Sequence, residues 1–206
     1  MEDKKLFILQ NVGRLYMKFG IRGVTMDDVA REFGISKKTL YQYFNDKEDL
    51  VNQVIDYYLE NPVFNLNKKD LGNSIDRIFA LRTHVAQILK HFNNNLEFDL
   101  KKQYPGLYKK VHSFKRKRIY TDTVRNIESG INDGLYRPGL DPDFIAKLQV
   151  GRMLFTLNPD NEIFKDQEIA SLALFDKVID YHMSAICTEK GLKYYRKQLN
   201  IHQNED

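Results

Sequence analysis

TMDDVAREFGISKKTLYQYFNDKEDL, from Thr25 to Leu50, is the stretch that decides the fold. Thr25 stands as an N-cap with Asp28 three residues on, the two halves of a capping box that satisfies two otherwise unpaired backbone N–H groups. Val29, Ala30 and Phe33 then fall on one helical face. Gly34 marks the stop, because glycine takes the left-handed cap geometry without a Cβ clash. Ile35 fills the corner, Ser36 caps a second helix, and Leu40 and Phe44 form that helix's inner face. A small residue at Ala30, glycine at Gly34 and an apolar residue at Leu40 is the spacing of a helix-turn-helix, whose two helices cross closely.

The outward side chains of the second helix are of the kinds that touch DNA. Lys37, Lys38, Thr39, Tyr41, Gln42 and Tyr43 offer cations, hydroxyls and an amide to phosphates and base edges. The next helix starts at Asn45 or Asp46 and carries Lys47 in its first turn. A lysine there opposes the helix dipole, and a nearby phosphate explains it better. With the capping hydroxyls of Thr25 and Ser36, the candidate DNA-contacting set is Thr25, Ser36, Lys37, Lys38, Thr39, Tyr41, Gln42, Tyr43 and Lys47. The competing reading is a solvated charged surface on a small helical bundle. Turn chemistry, core spacing and surface residues agree against it.

The segment GISKKTLYQYFNDKEDL resembles the recognition segment of the TetR family of bacterial transcriptional repressors, and the resemblance runs from about Leu6 to Tyr58. It is carried by Thr25, Gly34-Ile35-Ser36, Thr39-Leu40-Tyr41, Tyr43-Phe44 and Lys47-Glu48-Asp49-Leu50. Two positions depart from the family pattern: Lys38, where a small residue is common, and Tyr43, where histidine is frequent. Both can still contact DNA, so they bear on operator sequence. The resemblance implies an all-α fold with an N-terminal three-helix DNA-binding head and a larger helical regulatory body. It also implies a homodimer on a double-stranded, pseudo-palindromic operator, and release by a small apolar or amphipathic effector. Two alternatives stay open: an activator without a small-molecule effector, and a helical ligand-binding or interaction protein.

Composition sets wider bounds. At 206 residues the chain can bury a real core, and a formal net charge of +4 permits nucleic-acid binding without arguing for it. The single cysteine, Cys187, excludes an internal disulfide and fits the cytoplasm, where the chain is expected to reside. MEDKKLFILQ is too short and too acidic for a signal peptide, and no stretch approaches a membrane span.

Along the chain, Leu6, Leu9, Val12, Tyr16 and Phe19 predict a first amphipathic helix stopping near Gly20. A fourth helix is expected over Lys47 to Glu60, ending before Asn61-Pro62. The domain boundary falls there: a DNA-binding domain over 1–60 and a ligand-binding and dimerisation domain over 61–206. The latter starts with a polar loop from Asn61 to Asp70 and a helix up to Asn93, followed by a shorter segment up to Tyr104. Pro105 opens a long helix to about Asp133. Asp143–Leu157 and Lys165–Thr188 are read as the last two helices, whose Leu148–Leu157 and Leu172–Ile186 stretches are the expected dimer surface, with Gly151 allowing close approach. The tail after Thr188 is read as amphipathic and then polar, fraying at its end.

Other signals are weaker. Lys101 to Arg118 holds eight cations and no acid, and a solvated helix face is the better reading than a second nucleic-acid patch. His84, His91, His112, His182 and His202 show no metal spacing, so no metal and no cofactor are expected, and no catalytic motif points to an enzyme. By family analogy the body's helices enclose an effector cavity. Its candidate lining is Phe79, Arg82, His84, Phe92, Tyr104, Tyr108, Tyr120, Arg152 and Phe155, although most of these aromatics are also ordinary core residues.

Overall fold

Capping side chains set where the first helices begin and end. α1 (Glu2–Phe19) stops as Gly20 turns to a left-handed φ of 74°. α2 (Met26–Glu32) opens on the expected capping box: Thr25 Oγ1 accepts from the Asp28 amide at 3.1 Å, and Asp28 Oδ2 accepts from the Thr25 amide at 2.9 Å. Gly34, at φ 60°, makes the corner into α3 (Lys37–Tyr41), which Ser36 caps. Asp46 caps α4 (Lys47–Glu60). The computed structural model describes residues 2–62, 71–90 and 95–203. The expected loop over 61–70 therefore lies, from 63 onward, outside the described residues, as does Phe92.

Farther along are α5 (Ser74–Leu89), α6 (Asn95–Gln103), α7 (Pro105–Asn132), α8 (Pro142–Gly151), α9 (Asp166–Ile169), α10 (Leu172–Ile186) and α11 (Glu189–Gln203). No extended strand forms among the described residues; there is one antiparallel bridge, between Tyr136 and Cys187. The chain divides into two units, Met1–Val63 with His91–Phe114, and Phe64–Lys90 with Lys115–Asp206.

The first unit is built around Ile8, Val12, Tyr16, Val29, Leu40, Phe44, Leu50 and Val54, so α1, α2, α3 and α4 share one core. Leu100 of α6 joins that core, with Leu96, Tyr104, Leu107 and Tyr108 packed against it. The head expected over 1–60 thus takes in a helix from beyond that range. α1 and α4 touch most closely at Gly13, where any Cβ would overlap the ring of Tyr58. That ring is tethered, its hydroxyl donating to the Gln10 carbonyl at 2.7 Å.

The second unit is organised around Ile75, Phe79, Ile127, Tyr136, Ile179, Met183 and Tyr195. Arg82 and Asp176 join α5 to α10 through two hydrogen bonds of 2.8 and 3.0 Å, in largely buried surroundings. Asn126 links two more elements, donating to the Ser74 carbonyl at 2.8 Å and accepting from the Tyr136 hydroxyl at 2.9 Å.

Three expectations for this part of the chain need correction. The helix read over Asp143–Leu157 is regular only to Gly151, then widens into a π-helical turn over Arg152–Thr156. The helix read over Lys165–Thr188 is broken, because Ser171 accepts from the Leu174 amide and starts α10 afresh after the short α9. The tail, read as amphipathic, is the helix α11, and the end read as fraying lies, from 204 onward, outside the described residues; Tyr195 is only 1 % exposed, and Gly191 lies so close to the Leu135 carbonyl that no side chain would fit. The two stretches expected to dimerise are therefore not the last two helices.

Gly13 yields a test of the α1–α4 packing. Helix propensity alone would have Gly13→Ala gain about 0.8–1.0 kcal/mol. The overlap with Tyr58 reverses the sign, and we expect a loss of about 1–3 kcal/mol, read as a lower urea midpoint. A raised midpoint would mean that the two helices are not in such close contact.

Candidate nucleic-acid interface

Five residues make a helix of little more than one turn, so α3 owes its position to its inner face. Leu40 is fully buried and Phe44, just past the helix end, is 1 % exposed. Gln42 is the C-cap and Tyr43 follows it, so these two leave from the turn and not from the helix as the sequence reading has it. Lys37, Lys38, Tyr41 and Gln42 are exposed, while Tyr43 is half-buried against the core with its ring 6.3 Å from that of Phe44.

The hydroxyls of Thr25, Ser36 and Thr39 are engaged within the head. Thr25 bonds to Asp28, and Ser36 Oγ and Thr39 Oγ1 lie 2.8 Å apart as a hydrogen-bonded pair. They fix the helix starts that aim the neighbouring lysines. Lys37 Nζ lies 2.6 Å from Asp27 Oδ2, and this pairing holds the amine's pKa above its ordinary value. Both partners are well exposed, so solvent screens the pair and it can yield to a phosphate.

Lys47 occupies a different setting from the one its sequence position suggests. Its amine is half-buried, with Nζ a long 3.5 Å from the Arg22 carbonyl. Burial pushes its pKa below the ordinary value, while Asp99 and Asp28 pull in the other direction. Its place in the first turn of α4 thus has an internal explanation in addition to any phosphate. Asp99 was not singled out by sequence reasoning, and nothing local in LEFDL announces a partner 77 residues away.

The chain matches the family model described as bacterial regulatory proteins, tetR family, over residues 8–54. Among curated proteins it is similar to the uncharacterized HTH-type transcriptional regulator YhgD of Bacillus subtilis, 24 % identical over 153 residues, 70 % of this chain and 77 % of that one. It is also similar to IcaR of Staphylococcus aureus, the HTH-type negative transcriptional regulator of the biofilm operon icaADBC, 30 % identical over 111 residues. That match spans about half of each chain, 52 % in both cases. Its fold is similar to that of a transcriptional regulator from Cytophaga hutchinsonii, with a TM-score of 0.67 at 20 % identity over 90 % of this chain and 99 % of that one.

The expected effector-lining residues are dispersed. Tyr104 and Tyr108 pack against the core of the first unit. Phe79 is core of the second, its ring stacked on His202 at 4.9 Å, and Arg82 is bound to Asp176. His84 is half-buried on α5, and Tyr120 donates to Asp143 Oδ1 at 2.7 Å. Phe155 is exposed. Arg152 bonds to Gln149 and lies near His182, a residue that the sequence set aside.

Burial, with Arg152 adding to it, lowers the His182 pKa from 6.5 to about 4. Between those values the unfolded chain binds a proton that the folded chain does not. Stability therefore falls as pH drops through this window and returns as pH rises, with a slope of at most about 1.4 kcal/mol per pH unit from this group. Thermal unfolding from pH 7 to 4 should show the loss, and His182→Gln should flatten it. Parallel curves for the two proteins would exclude a neutral, half-buried imidazole here.

Proposed function

Because this chain belongs to the tetR family of bacterial regulatory proteins and is a DNA-binding transcriptional regulator, we propose that it is a homodimeric repressor of a pseudo-palindromic operator, released by a small apolar or amphipathic effector. The observation that carries this reading is the exposed set of Lys37, Lys38 and Tyr41 on α3, with Gln42 at its C-cap, held from behind by buried Leu40 and Phe44. IcaR, a negative regulator, supports the repressor sense. Lys47 and Tyr43 are assigned to phosphate, and Lys37, Lys38 and Gln42 to base edges. One helix of this length reads few bases. Two copies in successive major grooves, about 34 Å apart, read enough for a useful operator.

The dimer reading rests on an apolar stripe. Phe144, Leu148 and Phe155 are 57, 56 and 60 % exposed, and Gly151 between them has open space where a Cβ would stand. On α10, Tyr181 is 75 % exposed. Large apolar side chains exposed at helical spacing along one segment are what an interface would cover. An effector is supported by the aromatic content of α5 to α8 and not by a gathered set of side chains. It would release the operator only by binding the DNA-incompetent arrangement more tightly than the competent one.

Two measurements test these assignments. Lys47→Ala should weaken binding to every duplex and reduce the salt slope by about one. Gln42→Ala should instead relax preference at one base pair, by about 1–3 kcal/mol, with the slope unchanged. A changed preference and unchanged slope for Lys47→Ala would reverse the roles. For the dimer, Leu148→Glu should sediment as a monomer with its helical content intact, since Leu148 is exposed in the single chain. An unaltered dimer would move the interface elsewhere.

A further inference from the structure

The turn from Gly20 to Gly23 delivers the chain into the Thr25 cap; Ile21 and Val24 sink into the head's core, and the Val24 amide donates to the Ile21 carbonyl at 3.3 Å. Gly20 sits at φ 74°, and a Cβ on Gly23 would press against the Phe19 carbonyl, so both ends of the turn depend on glycine. Glycine costs more entropy to order than any other residue, and Arg22, between the two buried side chains, gains a polar anchor from outside the turn. That anchor comes from α6. Asp99 is 5 % exposed, and its Oδ2 accepts from the Arg22 amide at 2.8 Å. The Arg22 carbonyl in turn receives Lys47 Nζ at 3.5 Å. Arg22 is thus held on its N–H side by α6 and on its C=O side by the first residue of α4. Leu100, next to Asp99, is buried in the same core as Leu40 and Phe44.

We propose that Asp99 is a positioning residue for DNA recognition, fixing the Arg22 turn and the Lys47 amine so that α2 and α3 present their outward side chains in one arrangement. Asp99 lies outside the family-matched residues 8–54, so the recognition surface depends on a carboxylate supplied by a later helix. The inference rests on the DNA-binding reading above. Its sign is distinctive. A carboxylate beside a DNA-facing lysine repels phosphate, so its removal would tighten DNA binding if charge were all that mattered. Loss of positioning instead weakens specific binding.

The test uses the full chain. A duplex enriched from a random pool by the wild-type protein, and a scrambled duplex of the same composition, are titrated with wild type, Asp99→Ala and Asp99→Asn. Amide hydrogen exchange at Arg22 is measured without DNA. Asp99→Ala is expected to lose about tenfold in affinity for the enriched duplex relative to the scrambled one, with Arg22 exchange accelerated by a similar factor. Asp99→Asn still offers an oxygen to the Arg22 amide and should stay within about threefold of wild type in both readouts. Should Asp99→Ala not fold, Asp99→Glu keeps the charge but displaces the acceptor, and is expected to behave as Ala would. Tighter binding of both duplexes by Asp99→Ala, or Arg22 exchange unchanged in it, overturns the proposal, as does wild-type preference in Asp99→Glu. If the wild type enriches no duplex while Arg22 exchange responds as expected, the clamp exists but the DNA-binding reading falls, and the positioning role with it.

Discussion

Leu40 and Phe44 hold in place a helix that could not exist by itself. Isolated helices shorter than about 12–15 residues are marginal in water, and α3 has five. Its outward lysines and tyrosine keep fixed positions only because its inner face is buried against α1, α2 and α4. Burying two such side chains contributes about 1.5–3 kcal/mol each, more than the roughly 1 kcal/mol expected of the Ser36 cap. Placement of the outward groups of α3 is therefore a packing property of the whole head. The caps choose where each helix starts; the core determines where it points.

Packing alone does not give a unique arrangement, and in each unit long-range polar bonds add one. Asp99 with Arg22, Arg82 with Asp176, and Asn126 with Ser74 and Tyr136 join segments far apart in sequence. Such bonds add little net stability when complete, but removing one partner leaves the other buried and unmatched, at a cost well above the bond's own worth. Alternative packings of the same apolar residues would break them. Close backbone contacts act in the same direction: Gly13 against Tyr58, Gly130 against Tyr136 and Gly191 against Leu135 admit no side chain.

Local chemistry was legible in the sequence, while relations between distant residues were not. Thr25 and Ser36 were read as caps, and Gly34 as the corner, because each acts on backbone groups within a few residues. The inner faces of α1 to α4 were legible from helical spacing, except that Leu6 and Phe19, read with the apolar face of α1, are 43 and 50 % exposed. The helical tail was legible too but underread: Leu192, Tyr195 and Leu199 recur at core spacing after Gly191, behind a polar surface that drew attention to fraying. Ser171 carried the same cap signal as Ser36 inside an apolar run that looked continuous. The π-helical turn at Arg152 has no such signal, since the residue pattern of an α-helix and of a π turn differ only in which carbonyl is reached. The assignment of α6 to the head depends on Asp99 and Leu100 meeting partners that spacing cannot reveal.

The docking of α11 has a consequence for the order in which the chain can fold as it is made. The first unit has all its parts once Phe114 has been synthesised. The second cannot close its core until Tyr195, which packs against Phe79 with ring centroids 5.6 Å apart, has been added. At about 5–20 residues per second the interval is on the order of ten seconds. During it the nascent chain can carry a finished head while α5 and α10 still lack the aromatic side chain that seals them. The apolar helices of the second unit are thus the last to be covered.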